Sequence, residues 1–386
     1  MVCLNISNKY WKPFDLGKIS ILKHDKDWID DAKHYHIHPP DIFLPISHND
    51  WEDFFESSIN YTHFEKKSEI LNVRTEGSYY ISFCFFISLN EEGAVHITDN
   101  TQNSLKFLID TSLFDKCEHK SEDGGSLYIE SLNGECIQNR ICSFGSIVAQ
   151  YNVGAYCYLQ ISRNPPFKNY ILDSTISSSG NGTPYADTNI HLHYGEVVMK
   201  SINISYSKLS QRNFYYAYTH ADSNLTHSTF SNNTTLSPYN NEAYHTGSSY
   251  THKFRILFCN YIANKCNCLI YNGYILHLIN CSFSENNIEE LYFESGYDSH
   301  LTVIGCNFDT SNPSTEGDVI ITENANPNYP KNRHLSSSLC DADLKLEFPD
   351  DNEIKTKIKE IEEIKISYKQ NNNFNIFVWL VFLVSK

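Results

Sequence analysis

The chain lacks most of the features that would assign it a chemistry at sight. Among its 12 cysteines no Cys-x2-Cys pair occurs, which removes the usual zinc and dithiol spacings. Cys266 and Cys268 come nearest, but no second ligand pair follows them, so buried thiols are expected there rather than a metal. Arginine is scarce, six against 24 lysines, and the net charge is −16. Nucleic acid is therefore excluded as a partner, because phosphate binding needs a basic face. Residues 1–18 contain no apolar core of the kind a signal peptide needs. No Pro/Gly-rich linker interrupts residues 75–325, so that stretch reads as one long unit.

What the chain does have is apolar and aromatic material, 41% and 14% of its residues, with 26 Tyr and 23 Phe. That is enough for an extensive core. It is arranged as a repeat. The stretches Phe254 to Tyr261, Leu276 to Phe283 and Leu301 to Phe308 align on Cys259, Cys281 and Cys306. In each, side chains alternate with period two on both sides of a single slip, and a slip between two short strands is a corner.

Carried backwards, the pattern places anchors at Ser228, Ile202, Ser174, Cys142, Ser112 and Cys84. An apolar residue follows two positions later in every case: Phe86, Phe114, Phe144, Ile176, Ile204, Phe230, Tyr261, Phe283 and Phe308. Three positions before the anchors stand Ile81, Ile109, Asn139, Ile171, Met199, Leu225, Ile256, Leu278 and Val303, of which only Asn139 is polar. The anchors recur at intervals averaging about 28 residues, inside the range of solenoid repeats. Second strands are expected at Val95 to Ile97, Leu127 to Ile129, Ile190 to Leu192, Leu291 to Phe293 and Val319 to Ile321.

The fold expected is all-β, a right-handed parallel β-helix solenoid of the pectin-lyase-like kind, with about nine coils and a lumen filled by Phe and Ile ladders. Small Cys or Ser at the anchors suits a crowded corner, and free thiols are expected there. Four regions follow: an N-terminal cap over 1–74, the β-helix over 75–325, a linker over 326–349, and a charged helix with a short apolar tail over 350–386. Within the cap, Asn49 and Glu52 mark a helix start, and Trp51, Phe54, Phe55 and Ile59 give it an apolar face to seat on coil one. In the tail, Phe374 to Val384 is an apolar run of 11 residues broken only by Asn375, against the roughly 20 that a spanning helix needs. Membrane association through this run is an expectation.

The segment Ile279-Asn280-Cys281-Ser282-Phe283-Ser284-Glu285-Asn286-Asn287 shows the unit plainly: an aliphatic strand, an Asn-Cys-x-Phe core and an Asn-rich turn. Such repeats resemble the polymorphic outer-membrane-protein type of β-helix and are similar to the large β-helix surface-protein families of trichomonad protists. The resemblance covers residues 75–325 and implies display at a cell surface. The Gly-Gly-Ala-Ile-type segment of the first family survives only as Gly124-Gly125-Ser126-Leu127.

The same architecture hosts pectin-type lyases and polygalacturonases, which need clustered carboxylates with basic residues near the sugar acid. No Asn-Thr-Asp, Gly-His-Gly or Arg-Ile-Lys cluster is present. Asp30-Asp31 and Asp350-Asp351 lie outside the coils, and Asp173 with Asp187 reads as solvated surface charge. His34, His36 and His38 alternate, as do His191 and His193, which would put each set on one face of an extended segment; outward surface histidines are the expectation for both. Eight N-glycosylation sequons occur, at Asn5, Asn60, Asn181, Asn203, Asn224, Asn232, Asn233 and Asn280, about as many as the composition gives by chance. Asn203 and Asn280 flank an anchor and are expected to face solvent. Tyr215, Tyr216 and Tyr218 offer a binding stripe, with part of the set turned into the core.

No catalytic, cofactor-binding or metal-binding residue is assigned, and no cofactor is expected. The function expected is a non-enzymatic, surface-displayed scaffold that binds a protein or glycan ligand on its solenoid face. A carbohydrate-active β-helix enzyme is the alternative.

Overall fold

The computed structural model describes residues 51–321 except for 57, 74–76, 100–103, 149–151, 163–166, 181–185, 210–213, 236–241, 249–251, 274, 295–299 and 310–317, together with Cys3–Leu4 and Val378–Trp379. Two units divide the chain, one of residues 51–345 and one of residues 1–50 with 346–386. In the second unit, Cys3–Leu4 pairs antiparallel with Val378–Trp379. The remainder of the apolar tail, the charged helix expected at 350–369, the 326–349 linker and His34, His36 and His38 lie outside the described residues.

The first unit is a parallel β-solenoid. Three sheets run along it, of eleven, nine and nine strands, and the chain visits them in turn. The first sheet runs from Tyr61–Glu65 to Asp318–Ile321, the second from Phe85–Ile87 to Asn307–Phe308, and the third from Leu71–Val73 to Glu290–Glu294. Residues 61–73, expected in the cap, already supply a strand to the first sheet and one to the third. Val319–Ile321 pairs with Leu301–Val303 in the first sheet, not with the second strands of the other coils.

Each expected slip is one residue in the left-handed region. Phe83, Thr111, Arg140, Asp173, Ser201, His227, Phe258, Asn280 and Gly305 all have φ between 45° and 61°. Eight of these nine carry a Cβ, at a cost on the order of 1 kcal/mol each. Each of those eight donates its backbone N–H to a carbonyl of the following coil, at 2.9–3.3 Å. The anchor after the corner completes the bonding: Ser112 Oγ accepts from Cys84 N at 3.2 Å, Ser174 Oγ from Ile141 N at 3.0 Å, and Ser228 Oγ from Ile202 N at 3.1 Å. Small polar anchors thus satisfy a buried N–H as well as fitting the space.

The corner at Arg140 makes Ile141 the anchor of its coil, not Cys142. A one-residue slip exchanges the two faces of a strand. Ser143, not Phe144, therefore faces inward in register with Phe114 and Ile176, and Gln138, not Asn139, stands in the aliphatic column with Ile109 and Ile171. Phe114, Phe230 and Phe283 do lie in one file down the lumen; Phe144 is half-buried outside it. At this level the lumen is polar and satisfied: Tyr156 is buried beneath Phe114 and donates its hydroxyl to Gln138 Oε1 at 2.5 Å, and Ser143 and Ser126 each bond Ser146 at 2.7 and 2.6 Å. Elsewhere the file is apolar: Phe86 stacks on Phe114 at 5.1 Å, Ile176 and Ile204 continue it to Phe230, and Tyr261 stacks on Phe283 at 5.0 Å.

Nine described cysteines are buried free thiols, Cys266 and Cys268 among them. Cys142 starts its second-sheet strand, half-buried beside the inward Ser143, and is disulfide-bonded. Asn233, a sequon residue, is fully buried: its Nδ2 donates to Ile204 O at 2.9 Å, and Asn264 and Asn286 continue a ladder of the same kind in the next two coils. Asn60 and Asn232 are exposed, and Asn203, Asn224 and Asn280 are partly so.

The helix Trp51–Phe54 does not seat on an open end. Trp51 and Phe55 pack with Tyr80, Leu108 and Ile137, and Tyr170 joins at the margin. These four stand in one outward row of the first sheet. The row continues as Val198, Asn224, Arg255 and His277, so it is apolar where the N-terminal segment covers it and polar beyond. No helix among the described residues is long and apolar enough to cross a membrane.

Phe114→Ala is expected to cost about 3–5 kcal/mol, because it empties a site walled by Phe86 and Tyr156. Phe144→Ala should stay within about 1 kcal/mol. Urea unfolding of the two variants decides the register; the reverse order would restore Cys142 as the anchor.

Candidate functional site

The outward side of the third sheet carries the most organised surface chemistry. Parallel register aligns Asn72, His96, Tyr128, Tyr158, His191, Tyr216, His245 and Tyr271 in one row. Strand spacing of about 4.8 Å brings identical rows to ring-stacking distance. His96 stacks on Tyr128 at 4.5 Å, Tyr128 on Tyr158 at 5.1 Å, Tyr158 on His191 at 4.9 Å and His191 on Tyr216 at 4.7 Å, with interplanar angles of 11–15°. The rings cover one another's faces and present their edges outward.

Two residues along, a second row runs Thr98, Glu130, Gln160, His193 and Tyr218. It tethers the first. Tyr128 donates its hydroxyl to Glu130 Oε2 at 2.7 Å, Tyr158 donates to Gln160 Oε1 at 2.9 Å, and Gln160 Nε2 reaches Glu130 Oε1 at 3.4 Å. Burial, with these carboxylates alongside, raises both phenols, Tyr158 to about 12. They remain neutral hydroxyl donors at any physiological pH.

The face has two unlike halves. At one end an open recess of about 620 Å³ is lined by His96, Thr98, Glu122, Asp123, Tyr128, Glu130 and Asn152. Burial raises the Asp123 carboxyl, with Glu122 and Asp187 adding to the effect. Asp187 thus bears on Asp123, whereas Asp173 occupies a corner after a first-sheet strand. At the other half, His193 stacks on Tyr194 at 4.0 Å, and Tyr218 meets His193, Tyr194 and His220 edge-on. Tyr194 adopts φ of 72°, followed by Gly195 at 75°; the unfavourable turn lays the Tyr194 ring against His193. His191 and His193 are half-buried outward rings, as expected, while Tyr215 is buried and Tyr216 and Tyr218 point out.

His96, His119 and Glu122 bring one nitrogen or oxygen each within 4.8 Å of one another. Hydrogen bonding decides what this trio can do. His119 Nδ1 accepts backbone N–H bonds from Glu122 at 2.9 Å and Ser121 at 3.4 Å, so the neutral ring carries its proton on Nε2, which faces Glu122 Oε2 across 4.0 Å. A metal on Nε2 would force that proton onto Nδ1, against two backbone N–H groups. The donor set therefore does not suit a metal; it suits a neutral imidazole holding a carboxylate in place. His96 Nδ1 lies 3.7 Å from the same oxygen, and its Nε2 is 3.3 Å from Thr98 Oγ1. No motif marks this recess, since His96 comes from one coil and His119, Glu122, Tyr128 and Glu130 from the next, and they converge only once the register is known.

Burial lowers the pKa of His119, and likewise of His227 and His277, where nearby Lys200 and Lys253 add to the effect. The unfolded chain takes up these protons at about 6.5, the folded chain only at lower pH. Stability is then complete above about 6.5 and falls as pH drops below it. Thermal melts across that range should show Tm falling with acidification, with a shallower slope in His119→Gln; a slope unchanged by the substitution would contradict the tautomer assignment. No protein-family model, no curated protein and no solved structure matches this chain.

Proposed function

We propose that the chain is a non-catalytic binding scaffold, displayed at a surface, that holds an extended ligand along the outward face of its third sheet. The observation that carries this reading is the stacked row from His96 to Tyr216. Five rings in parallel register, two of them fixed through their hydroxyls by Glu130 and Gln160, form a flat, rigid strip of donor and acceptor edges. Rigid amphipathic rings lose little entropy when a ligand arrives, so such strips favour binding. The Cys-x-Phe repeats, with Asn280-Cys281-Ser282-Phe283 the fullest of them, support the same reading through their likeness to β-helix surface families.

A second reading has one observation of its own. The recess gathers His96, Glu122, Asp123, Tyr128 and Glu130, a convergence of acids and bases that a carbohydrate-active enzyme needs.

The labelled chain applied to arrays of glycans and extracellular-matrix proteins, at neutral and weakly acidic pH, should bind a defined subset. Tyr158→Ala combined with Tyr216→Ala should weaken that binding by about tenfold, as the loss of two ring contacts implies. His277→Ala, on the first sheet, should not. Equal binding by the tyrosine variant, or exclusively internal labelling of cells that express the chain, would defeat the scaffold reading. Release of sugar fragments that disappears in Glu122→Gln would establish the second reading in its place.

A further inference from the structure

From His96 to Tyr271 the two outward rows of the third sheet hold no lysine or arginine. Any positive charge these rows acquire over that span therefore comes from histidine, the one side chain whose charge ordinarily changes between about pH 5 and pH 8. Its histidines are not evenly spread. His191, His193 and His220 cluster in the half away from the recess, while Glu122, Asp123 and Glu130 occupy the recess end.

The surroundings of the three imidazoles are aromatic. His191 is sandwiched between Tyr158 and Tyr216, with His193 edge-on at 5.5 Å. His193 faces Tyr194, Tyr216 and Tyr218, and His220 faces Tyr194 and Tyr218. An imidazolium between two ring faces is held by the ring quadrupoles. Asp123 and Glu130 act on Tyr158, on the recess side. Acidification thus turns one half of the face cationic while the phenols beside it stay neutral donors. The whole chain loses its net negative charge over the same interval, its isoelectric point being about 5.5, so general repulsion of an anionic ligand fades as the local attraction appears.

We propose that the imidazole half of this face binds a polyanionic polysaccharide in weakly acidic medium and releases it near neutrality; this rests on the reading of the third sheet as the ligand-binding face. A polysaccharide fits better than an acidic peptide. Tyr216 and Tyr218 supply phenol edges beside the imidazoles, and Tyr218 meets its neighbours edge-on rather than face to face, which suits sugar hydroxyls and C–H faces together with carboxylate or sulfate groups.

The test uses the full chain and immobilised heparin as the probe. Retention is expected at about pH 5.5 and elution on raising the pH to about 7.5, the interval over which imidazole titrates. His191→Gln, His193→Gln and His220→Gln combined should weaken binding at the lower pH by about tenfold or more. His277→Gln should leave it unchanged, and circular dichroism should show both variants folded. No retention at either pH, retention indifferent to pH, or retention kept by the triple variant would overturn the proposal. Displacement by polyglutamate as effective as by free heparin would overturn the polysaccharide assignment in favour of an acidic peptide. Failure here is separable from failure of the scaffold reading: array binding that is insensitive to pH but lost in the Tyr158 and Tyr216 variant would leave that reading intact.

Discussion

The structure depends on one constraint, the fixed register between consecutive coils. It is imposed at the corners. A left-handed residue follows every first-sheet strand whose end is described, from Lys66 to Gly305, and nine of these ten corners use a residue with a side chain, against its backbone preference. What holds them is the N–H bond each makes to the next coil, with the Ser or Cys anchors taking up the neighbouring N–H. No coil satisfies these groups alone, so the strained turn exists only in the stack, and stability is carried by neighbour terms.

Once the register is fixed, every column becomes a stack, inside and out. Inside, this gives the file from Phe230 through Tyr261 to Phe283. Where Ser143 and Gln138 interrupt the apolar columns, Tyr156 comes in from the third sheet to fill the volume and take the amide. Polar substitution in the lumen is thus tolerated because it is complete: Gln138, Tyr156, Ser126, Ser143 and Ser146 satisfy one another. Outside, the same spacing forces His and Tyr into contact whether or not a ligand exists, so the stacking alone is not the mark of a site. The tethering of ring hydroxyls by Glu130 and Gln160, and the unequal distribution of charge along the row, go beyond what stacking needs.

The solenoid was legible because its signal is redundant. An apolar residue two places after an anchor, present in eight of the nine coils, survives one misread coil. The misreading at Cys142 has a physical source: Cys142-Ser143-Phe144 copies the Cys-x-Phe pattern of Cys281-Ser282-Phe283, whereas the corner is set by Arg140, whose left-handed φ leaves no trace in residue type. The N-terminal segment shows its apolar, helical start in its residue spacing, but not its seat. An outward row of Tyr80, Leu108, Ile137 and Tyr170 can be recognised only when residues about 30 apart are laid side by side. The recess was illegible for the same reason, its side chains being scattered over three coils without a motif.

Rows on such a surface differ from ordinary sequence motifs in what selects them. A residue in a compact site answers to neighbours on several elements, whereas a residue in an outward row answers mainly to the coil before and the coil after. Charge can then vary along the sheet without disturbing the core, which is how its outward rows carry carboxylates near the recess and imidazoles and phenols in the next coils. The lock on His119 belongs to this division. Burial lowers its affinity for a proton and its Nδ1 already accepts from two backbone donors, so it gains charge only at lower pH than a free imidazole. The histidines of the other half lie against aromatic rings instead.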